Sequence, residues 1–426
     1  MNLFRWITTL AVAAIAALLL AACGGGADRT KAQVRLVNAG SGDTSLDLRV
    51  DNELRQVAVR YGHSAAYAEA EPGKAFTLHA AGSSTVLLNF APSISARRYY
   101  SVLAYGSLGA LKQLVLDDNA GAPDINRALL RVVNAAPDAG ALDVYLTGSD
   151  DTLAASVPQQ AGAAVDGVGA WLTINSGSYR LRVTAAGSKT DLRLDAPVLA
   201  LASRQVATLV ISATSGGVLV QGLLLSQQGE ITAQAPTQAR VRVASGLSDA
   251  GISSLRVGAA AVFANVTAPA VTGYTLVPAG QQAVVVGING ATLPSVPQTL
   301  AVGADYTVLV YGSPAAPAVA WLRDDNTLPS DRARAKIRLV NGVVGLPGNL
   351  SMSADFAPVA DNVAPGLGSA YQQVDATTTG RLSVTAAGLS RPLFDATEQT
   401  FTAAANYTVF LVGSPAAPVG IVRKDR

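Results

Sequence analysis

This chain of 426 residues has very few Cys and His side chains, the types that most often supply zinc ligands and, in the case of His, the general base of a catalytic site. The chain has one Cys, Cys23, and two His, His63 and His79. A disulfide within the chain is therefore impossible, and a zinc site built from Cys and His is almost excluded. A Ser-His-Asp triad would have to use one of these two His residues.

Catalysis by two facing carboxylates, as in glycosidases, would need no His. The most prominent acidic clusters are sequence neighbours in stretches that resemble turns or linkers: Asp117–Asp118, Asp150–Asp151 and Asp324–Asp325. Carboxylates placed in this way favour contact with water over a catalytic cleft. We therefore expect no catalytic residue, no metal site and no cofactor.

Cys23 follows a segment that gives its thiol a specific role. Arg5 precedes an unbroken apolar run of 13 residues, Leu10 to Ala22. A membrane-spanning helix needs about 20 residues, whereas the core of a signal peptide needs about 7–15. The run ends in Leu20-Ala21-Ala22-Cys23, which resembles a bacterial lipobox. The resemblance implies cleavage between Ala22 and Cys23 and a diacylglycerol on the Cys23 thiol; the alternative is a Cys at the end of an ordinary secretory signal.

The same resemblance carries expectations about anchoring and localisation. Two or three acyl chains hold a protein on a membrane far more firmly than one chain does. In Gram-negative bacteria, Asp directly after the lipidated Cys usually retains a lipoprotein in the inner membrane, and Gly24 takes that place here. We therefore expect a lipid-anchored cell-envelope protein of the outer membrane, with residues 24–31 as a flexible tether.

Composition excludes several classes of protein. The chain is 50% hydrophobic but only 14% charged, so it has ample apolar surface to bury and is not a disordered chain. Its net charge is +2, which gives no electrostatic reason to expect nucleic acid as a partner.

The chain contains four copies of one unit. Each copy opens with an Arg in a short apolar run, and the spacings between these Arg residues are 96, 111 and 96. Each copy also has a Gly before a later strand-like run. The Arg markers are Arg35, Arg131, Arg242 and Arg338, and the Gly markers are Gly73, Gly177, Gly280 and Gly380. The markers keep register, which is typical of a true repeat.

These spacings predict the domain organisation. Residues 1–22 are the signal peptide and residues 23–32 are the lipidated Cys with its tether. The repeats then occupy residues 33–119 (repeat 1), 124–229 (repeat 2), 238–326 (repeat 3) and 333–426 (repeat 4). The stretches between them contain Pro and Gly, which suits exposed linkers.

Within a repeat the pattern is that of short strands. Tyr179 to Val183 alternates between polar and apolar residues, and turn signals such as Ser176-Gly177 separate the runs. Six to eight short strands in about 100 residues predict an all-β fold of tandem immunoglobulin-like β-sandwiches. Tyr306, which follows the turn at Gly303, suggests a tyrosine corner; the alternative is a Tyr that fills a barrel end.

Repeat 2 opens with Arg131-Val-Val-Asn-Ala-Ala-Pro-Asp-Ala-Gly-Ala-Leu-Asp-Val-Tyr145. This stretch resembles a bacterial envelope domain of unknown function that occurs in tandem in secreted proteins and lipoproteins. The resemblance covers roughly residues 33–426, but repeat 3 departs from it at Ala244-Ser245-Gly246. It implies a β-sandwich and brings no catalytic residues.

The repeats provide an internal control on each candidate site. His79 aligns with Thr184 and Thr385, which indicates a strand-end position that tolerates polar residues. His63 has no counterpart. Asp47 and Asp143 align with each other, and their equivalents Arg256 and Ser351 indicate an outward-facing strand position rather than a shared ligand.

Two further motifs recur. Asp117-Asp118-Asn119 and Asp324-Asp325-Asn326 close repeats 1 and 3, and we interpret them as solvated linkers, with a calcium site as the alternative. Gly312-Ser-Pro-Ala-Ala-Pro317 recurs as Gly413–Pro418, and we expect both segments to be hairpin loops, with a shared binding tip as a further hypothesis.

The sequence thus favours a non-enzymatic, lipid-anchored envelope protein. Its sandwiches would make structural or adhesive contacts with an envelope or surface partner. The alternative is a ligand-binding module that holds a saccharide or peptide at one end of a sandwich. The least favoured class is a carboxylate-based hydrolase.

Overall fold

The structure is a computed structural model, and it describes residues 28–41, 44–214 and 216–426. The predicted signal peptide, the cleavage position at Ala22 and the lipidation position at Cys23 lie outside the described residues. Within the described part, no helix is long and apolar enough to cross a membrane. The one helical element in the described residues is a 3₁₀ turn, Leu108–Ala110.

The described residues fold into strands, which we number in chain order. Repeat 1 contains β1 (Ala32–Ser41), β2 (Leu46–Val50), β3 (Glu53–Val59), β4 (Ala68–Ala70), β5 (Phe76–Ala80), β6 (Val86–Phe90), β7 (Tyr99–Ser107) and β8 (Lys112–Asp117). Repeat 2 contains β9 (Arg127–Ala135), β10 (Leu142–Thr147), β11 (Gln160–Ala163), β12 (Leu172–Asn175), β13 (Gly177–Ala185), β14 (Leu192–Leu201), β15 (Val206–Ala213), β16 (Val220–Ser226) and β17 (Ile231–Gln234).

The second half of the chain repeats this order. Repeat 3 contains β18 (Gln238–Leu247), β19 (Ile252–Val257), β20 (Ala260–Thr267), β21 (Ala270–Val271), β22 (Thr275–Pro278), β23 (Gly280–Ile288), β24 (Ala291–Thr292), β25 (Val296–Leu300), β26 (Asp305–Ser313) and β27 (Ala316–Asp324). Repeat 4 contains β28 (Arg334–Gly342), β29 (Leu350–Ala354), β30 (Ala357–Val363), β31 (Gln372–Asp375), β32 (Thr377–Ala386), β33 (Phe394–Phe401), β34 (Asn406–Ser414) and β35 (Ala417–Lys424).

In the described residues these strands form eight sheets, two in each repeat. In repeat 1 the orders are β4-β1-β7-β8 and β3-β2-β5-β6, and the other repeats follow the same plan. The first strand of each repeat runs parallel to its neighbour β7, β15, β26 or β34, whereas the other pairings are antiparallel. The predicted all-β sandwich class is confirmed. Its strand order differs from the seven-stranded immunoglobulin pattern, in which strands one, two, five and four share one sheet.

The strand that opens each repeat carries apolar residues on both faces because both of its faces are buried. Val34 and Leu36 point into the core of their own sandwich, whereas Val37 and Ala39 belong to a second apolar cluster shared with repeat 2. The sheet that contains the parallel pair is therefore buried on both faces, and such strands read as nearly continuous hydrophobic runs. The pair of repeats 3 and 4 has a corresponding shared cluster, which includes Leu309 and Phe410.

The Tyr predicted to form a corner does so in three repeats. Its hydroxyl accepts a hydrogen bond from the backbone N–H five residues earlier: Ser95 to Tyr100 (3.1 Å), Ala301 to Tyr306 (2.9 Å) and Thr402 to Tyr407 (2.9 Å). Repeat 2 has Ala207 at this place. The tyrosine-corner prediction is confirmed for repeats 1, 3 and 4.

Repeat 2 extends further than its predicted end at residue 229. Strand β17, Ile231–Gln234, pairs with β16 and adds a fifth strand to that sheet. The stretch looked like a linker because it is short and stands beside Pro236. The run forms a strand because the turn after β16 brings it back alongside β16, and the sequence of such a short run does not show this pairing.

Candidate functional site

The opening Arg of each repeat is buried and lies between two sandwiches. In each case its Nε donates a hydrogen bond to a hydroxyl on the adjacent parallel strand. The pairs are Arg35 with Ser101 (2.8 Å), Arg131 with Thr208 (2.8 Å), Arg242 with Thr307 (2.8 Å) and Arg338 with Thr408 (3.2 Å). We call these four residues the motif arginines.

An aromatic ring covers each motif arginine. The guanidinium carbon lies over the ring of Tyr67, Trp171, Tyr274 or Tyr371, at 4.9, 4.4, 4.6 and 4.8 Å from the ring centroid. A desolvated cation–π contact of this kind contributes about 2 kcal/mol. In each repeat the aromatic residue directly precedes the short strand β4, β12, β22 or β31, which pairs with the strand that carries the arginine.

In the pair of repeats 1 and 2, one carboxylate lies between two motif arginines. Asp118 is 3.8 Å from Arg35 and 3.8 Å from Arg131. It also accepts hydrogen bonds from Ser101 (2.5 Å) and Tyr67 (2.7 Å). Asp118 is 4% exposed, so it is a buried counter-ion and not a solvated linker residue.

The pair of repeats 3 and 4 reproduces this arrangement. Asp324 is 3.7 Å from Arg242 and contacts Arg338 of the next repeat directly. It accepts hydrogen bonds from Thr307 (2.6 Å) and Tyr274 (2.6 Å). Burial alone would raise the pKa of Asp324, but the charges of Arg338 and Arg242 outweigh burial and hold the pKa below its usual value.

This second pair holds an additional carboxylate. Asp425 of repeat 4 contacts Arg242 of repeat 3 and accepts a hydrogen bond from Thr408 (2.5 Å). Its counterpart in repeat 2 is Gln227, whose amide instead bonds both backbone groups of Ala120. The motif arginine of repeat 3 thus contacts the C-terminal segment of repeat 4, and the motif arginine of repeat 4 contacts the C-terminal segment of repeat 3. This reciprocity is that of an isologous interface.

These clusters overturn the interpretation of the two Asp-Asp-Asn segments as solvated linkers. Asp324 and Asn326 are buried, and Asn326 donates to Asp305 (2.7 Å). The segments were misread because the arginines that neutralise them come from distant parts of the chain. The guanidinium groups of Arg242 and Arg338 occupy the space around Asp324. Across residues 28–41, 44–214 and 216–426 no group of three acidic, His or Cys side chains is arranged to hold a metal ion.

Asp47 and Asp143 also differ from the prediction of outward-facing strand residues. Both are buried, and each carboxylate accepts two backbone N–H groups: those of Ala58 and Gly82 for Asp47 (2.7 and 3.0 Å), and those of Gly162 and Gly187 for Asp143 (2.7 and 2.9 Å). They fasten turns to the sheet and leave no free oxygen for catalysis.

The equivalent of Asp47 and Asp143 in repeat 3 is Ser254, two residues before the predicted Arg256. The strand pairing of the two repeats shows this equivalence. Ser253 pairs with Val266 just before a β-bulge, as Leu46 pairs with Val59 in repeat 1, so the next residues, Ser254 and Asp47, correspond. The position therefore holds a carboxylate in two repeats and a Ser hydroxyl in the other two.

The structure separates the roles of the two His residues. His63 is exposed, with Nδ1 2.9 Å from the Tyr61 carbonyl oxygen. His79 lies opposite Asp47, as Thr184 lies opposite Asp143 and Thr385 opposite Ser351, which confirms the alignment of these three residues. His79 is buried and its Nε2 is 3.0 Å from the Thr77 hydroxyl, so it is a core residue rather than a tolerated surface residue.

The two Gly-Ser-Pro-Ala-Ala-Pro segments are hairpin loops, as predicted. Ser313 pairs with Ala316 and Ser414 pairs with Ala417, which leaves a two-residue turn in each. The two tips line one pocket of about 250 Å³ together with Ser248 and Val344. The structure thus brings the two loops together, while their binding role stays a prediction.

A cavity of about 520 Å³, lined by both charged and apolar side chains, lies where all four repeats meet. Its lining includes Lys112, Asp138, Asp325, Lys336 and Tyr371. The charges in it are already paired, since Lys336 donates to Asp325 (2.8 Å) and Asp138 accepts from Arg332 (2.5 Å). These ion pairs join neighbouring repeats across the cavity.

Repeat 3 has an apolar groove on its open side, between the edge strands β25 and β27. We call it the Trp321 groove. It has a volume of about 340 Å³, and its lining includes Val284, Leu293, Pro294, Val296, Val319 and Trp321. The Trp321 ring meets Tyr306 edge-on, with centroids 6.1 Å apart, so the indole is held in place. The apolar lining of the groove suits one apolar or aromatic group. No sequence pattern apart from Trp321 itself indicated the groove.

A sequence signal for the covered arginines did exist. Tyr67, Trp171 and Tyr274 each stand six residues before the Gly marker of their repeat, and Tyr371 stands nine before Gly380. An aromatic residue at a fixed repeat position marks a shared packing role. It was missed because repeat 2 has Trp where the other repeats have Tyr, and because the spacing to the Gly marker is longer in repeat 4.

Comparison with known proteins adds a family. No curated protein matches this chain. Among solved structures, the Bacillus anthracis TIE protein is similar over 86% of this chain, with 8% sequence identity and a TM-score of 0.15. The chain spans 65% of the length of that protein, and a TM-score of that size is no evidence of a shared fold.

The family match is carried by residues 32–145 and 239–348, which are described as "Domain of unknown function (DUF4397)". Each stretch begins at the first strand of a repeat, β1 or β18, and runs into the opening strands of the following one. Together the two stretches make up more than half of the chain. The protein therefore belongs to the DUF4397 family of domains of unknown function.

Proposed function

We propose that this protein is a lipid-anchored envelope protein that acts without catalysis, through structural or adhesive contacts made by its sandwiches. The observation that carries the proposal is the set of reciprocal, buried arginine–carboxylate clusters, which fixes the repeats in two pairs. A surface fixed in this way loses less conformational entropy when it binds a partner than freely jointed domains would. The buried carboxylates Asp47, Asp118, Asp143 and Asp324, by contrast, are engaged in hydrogen bonds and ion pairs that hold the fold.

The anchor supports the same proposal. Leu20 to Cys23 resemble a lipobox, and the following Gly24 supports sorting to the outer membrane of a Gram-negative bacterium, with a short tether to the first sandwich. The first strand begins at Ala32, nine residues after Cys23, so the sandwiches would stand close to the membrane.

The test of the anchor is the Cys23→Ser variant. We expect wild-type protein to fractionate with membranes and to incorporate labelled palmitate, because the thiol is the acceptor of the lipid. Cys23→Ser should lose the label and remain an uncleaved precursor on denaturing gels. Chemical cross-linking of both forms in cells should capture envelope proteins only with the wild type. Equal palmitate labelling of the two forms would refute lipidation at Cys23.

A ligand-binding module is the second candidate, and the Trp321 groove is the observation that favours it. A peptide suits the groove better than a saccharide does, because its lining is almost entirely aliphatic apart from Trp321 and Gln298. Saccharide sites need more polar partners for the hydroxyl groups.

Catalysis by His can be tested directly. We expect the double variant His63→Ala, His79→Thr to keep the cellular phenotype of the protein, since Thr is the residue that repeats 2 and 4 carry at the position of His79. Thermal unfolding of the purified variant controls for the buried site at residue 79. A variant that folds normally but reproduces the phenotype of a deletion would contradict a non-enzymatic role.

A further inference from the structure

The Trp321 groove is open in repeat 3, whereas the equivalent space in repeat 4 is filled by a side chain of that repeat. The other repeats therefore show what kind of group fits the groove. In repeat 4 the residue that matches Pro294 is Phe394, because Leu293 and Leu393 donate to the equivalent carbonyls of Val286 and Val384 (2.8 Å each). The ring of Phe394 lies against Gly420, where a Cβ atom would overlap it. Repeat 4 therefore fills the space between its edge strands with a phenyl ring of its own.

Repeat 3 lacks this internal filling. Val319 replaces Gly420 and Pro294 replaces Phe394, while Trp321 stands where repeat 4 has Val422. The result is an open apolar space beside a large aromatic wall. A phenyl-sized side chain is therefore the occupant that the fold itself accommodates at this place.

Repeat 2 shows how a polypeptide approaches the same edge. Its strand β16 is the counterpart of β27, and β17 pairs with it in the antiparallel direction. Gln234 lies opposite Gly222, the counterpart of Val319, and its side chain is buried. Within the described residues no strand pairs with the outer edge of β27, so repeat 3 leaves open the edge that β17 covers in repeat 2.

We infer that repeat 3 binds an extended peptide segment of a partner protein, which adds as an antiparallel strand to β27 and places one aromatic side chain in the Trp321 groove. The inference deepens the proposed contact function by naming the kind of partner. Backbone hydrogen bonds along the edge give affinity in this mode, and the pocket gives specificity for the side chain. An unpaired apolar edge such as Ala318 to Trp321 is otherwise a liability for aggregation, which a bound strand removes.

The experiment uses the full chain in lipid nanodiscs and a fluorescent peptide that copies residues 229–236. The peptide is Gly-Glu-Ile-Thr-Ala-Phe-Ala-Pro, with Phe at the place of Gln234; a second peptide carries Gly there. We expect saturable binding of the Phe peptide by fluorescence anisotropy. The Gly peptide should bind about tenfold more weakly or worse, since it loses the burial of the ring.

Two variants keep the fold and remove the site. Trp321→Val introduces the residue that repeat 4 carries at this position, and Pro294→Phe with Val319→Gly copies the filled groove of repeat 4. Both should reduce binding of the Phe peptide at least tenfold while the circular dichroism spectrum stays that of the folded wild type. Trp321→Val should also lower the melting temperature, since it removes the contact with Tyr306, so the filled variant is the control for that loss of packing. Equal binding of the two peptides, or undiminished binding by the filled variant, would overturn the inference. Concentration-dependent self-association of the wild type that Trp321→Val abolishes would also overturn it, because a second copy would then be the occupant; the lipid anchor is tested separately by Cys23→Ser.

Discussion

Asp324→Ala should destabilise the pair of repeats 3 and 4 by about 3–5 kcal/mol, the usual consequence of removing one partner from a buried ion pair. The carboxylate is 1% exposed and neutralises both Arg242 and Arg338. Without it, the Arg338 guanidinium stays buried with no direct carboxylate contact among the described residues. Thermal and chemical unfolding of the full chain measure the effect.

Three comparisons make this prediction specific. Asp324→Asn keeps acceptor capacity for Thr307 and Tyr274 but removes the charge, so we expect an intermediate loss. Asp118→Ala should cost less than Asp324→Ala, because Asp118 lies 3.8 Å from each of its arginines instead of in direct contact with one. Asp150→Ala, at an exposed residue, should change the free energy of unfolding by no more than about 0.5 kcal/mol. If Asp324→Ala and Asp150→Ala unfold alike, the cluster does not hold the pair together.

The pH dependence of stability follows from the lowered pKa of Asp324. The folded-state pKa lies below the unfolded value of 3.8, so the unfolded state binds protons first as the pH falls. The contribution of Asp324 is fully present above the unfolded pKa and is lost as the pH falls through the folded pKa. The stability of the wild type should therefore decline more steeply below about pH 4 than that of Asp324→Asn.

Gly217→Ala should separate the two pairs of repeats while each pair stays folded. Gly217 has a φ of +81°, and a Cβ atom there would overlap the backbone of Asn326 and Thr327 in the other half of the chain. Its carbonyl accepts a hydrogen bond from Arg426, which also donates to the Asn326 carbonyl (2.9 Å). Since backbone cannot retreat as a flexible side chain does, the junction between the pairs has to open.

Small-angle scattering and calorimetry read out this separation. We expect a larger radius of gyration and two unfolding transitions in place of one. Gly187→Ala is the matched control, because Gly187 has a similar φ of +75° but no atom near its Cβ position. It shares the backbone strain of about 1–2 kcal/mol without the overlap. A Gly217→Ala protein whose scattering curve matches that of Gly187→Ala would show that the pairs are not held together at this point.

Much of the architecture could be predicted from the sequence because it is local or periodic. The spacing of the four Arg markers determined the number of repeats, and short alternating runs between turn signals determined the sandwich class. The Tyr after a turn at Tyr100, Tyr306 and Tyr407 indicated the corner, because its hydrogen bond joins residues only five apart.

The tertiary structure alone decided what the polar residues do. The carboxylate of Asp324 is neutralised by arginines that lie 82 residues before it and 14 after it, in two different sandwiches. No local sequence pattern distinguishes such a residue from a solvated one. The same holds for Asp47, which is buried because two distant backbone N–H groups converge on its carboxylate. The Trp321 groove is still harder to foresee, since it exists because repeat 3 lacks a ring that repeat 4 supplies across two sheets. Sequence specifies which side chains are present, but burial and cavities depend on which segments meet, and that is decided only when the sheets pack.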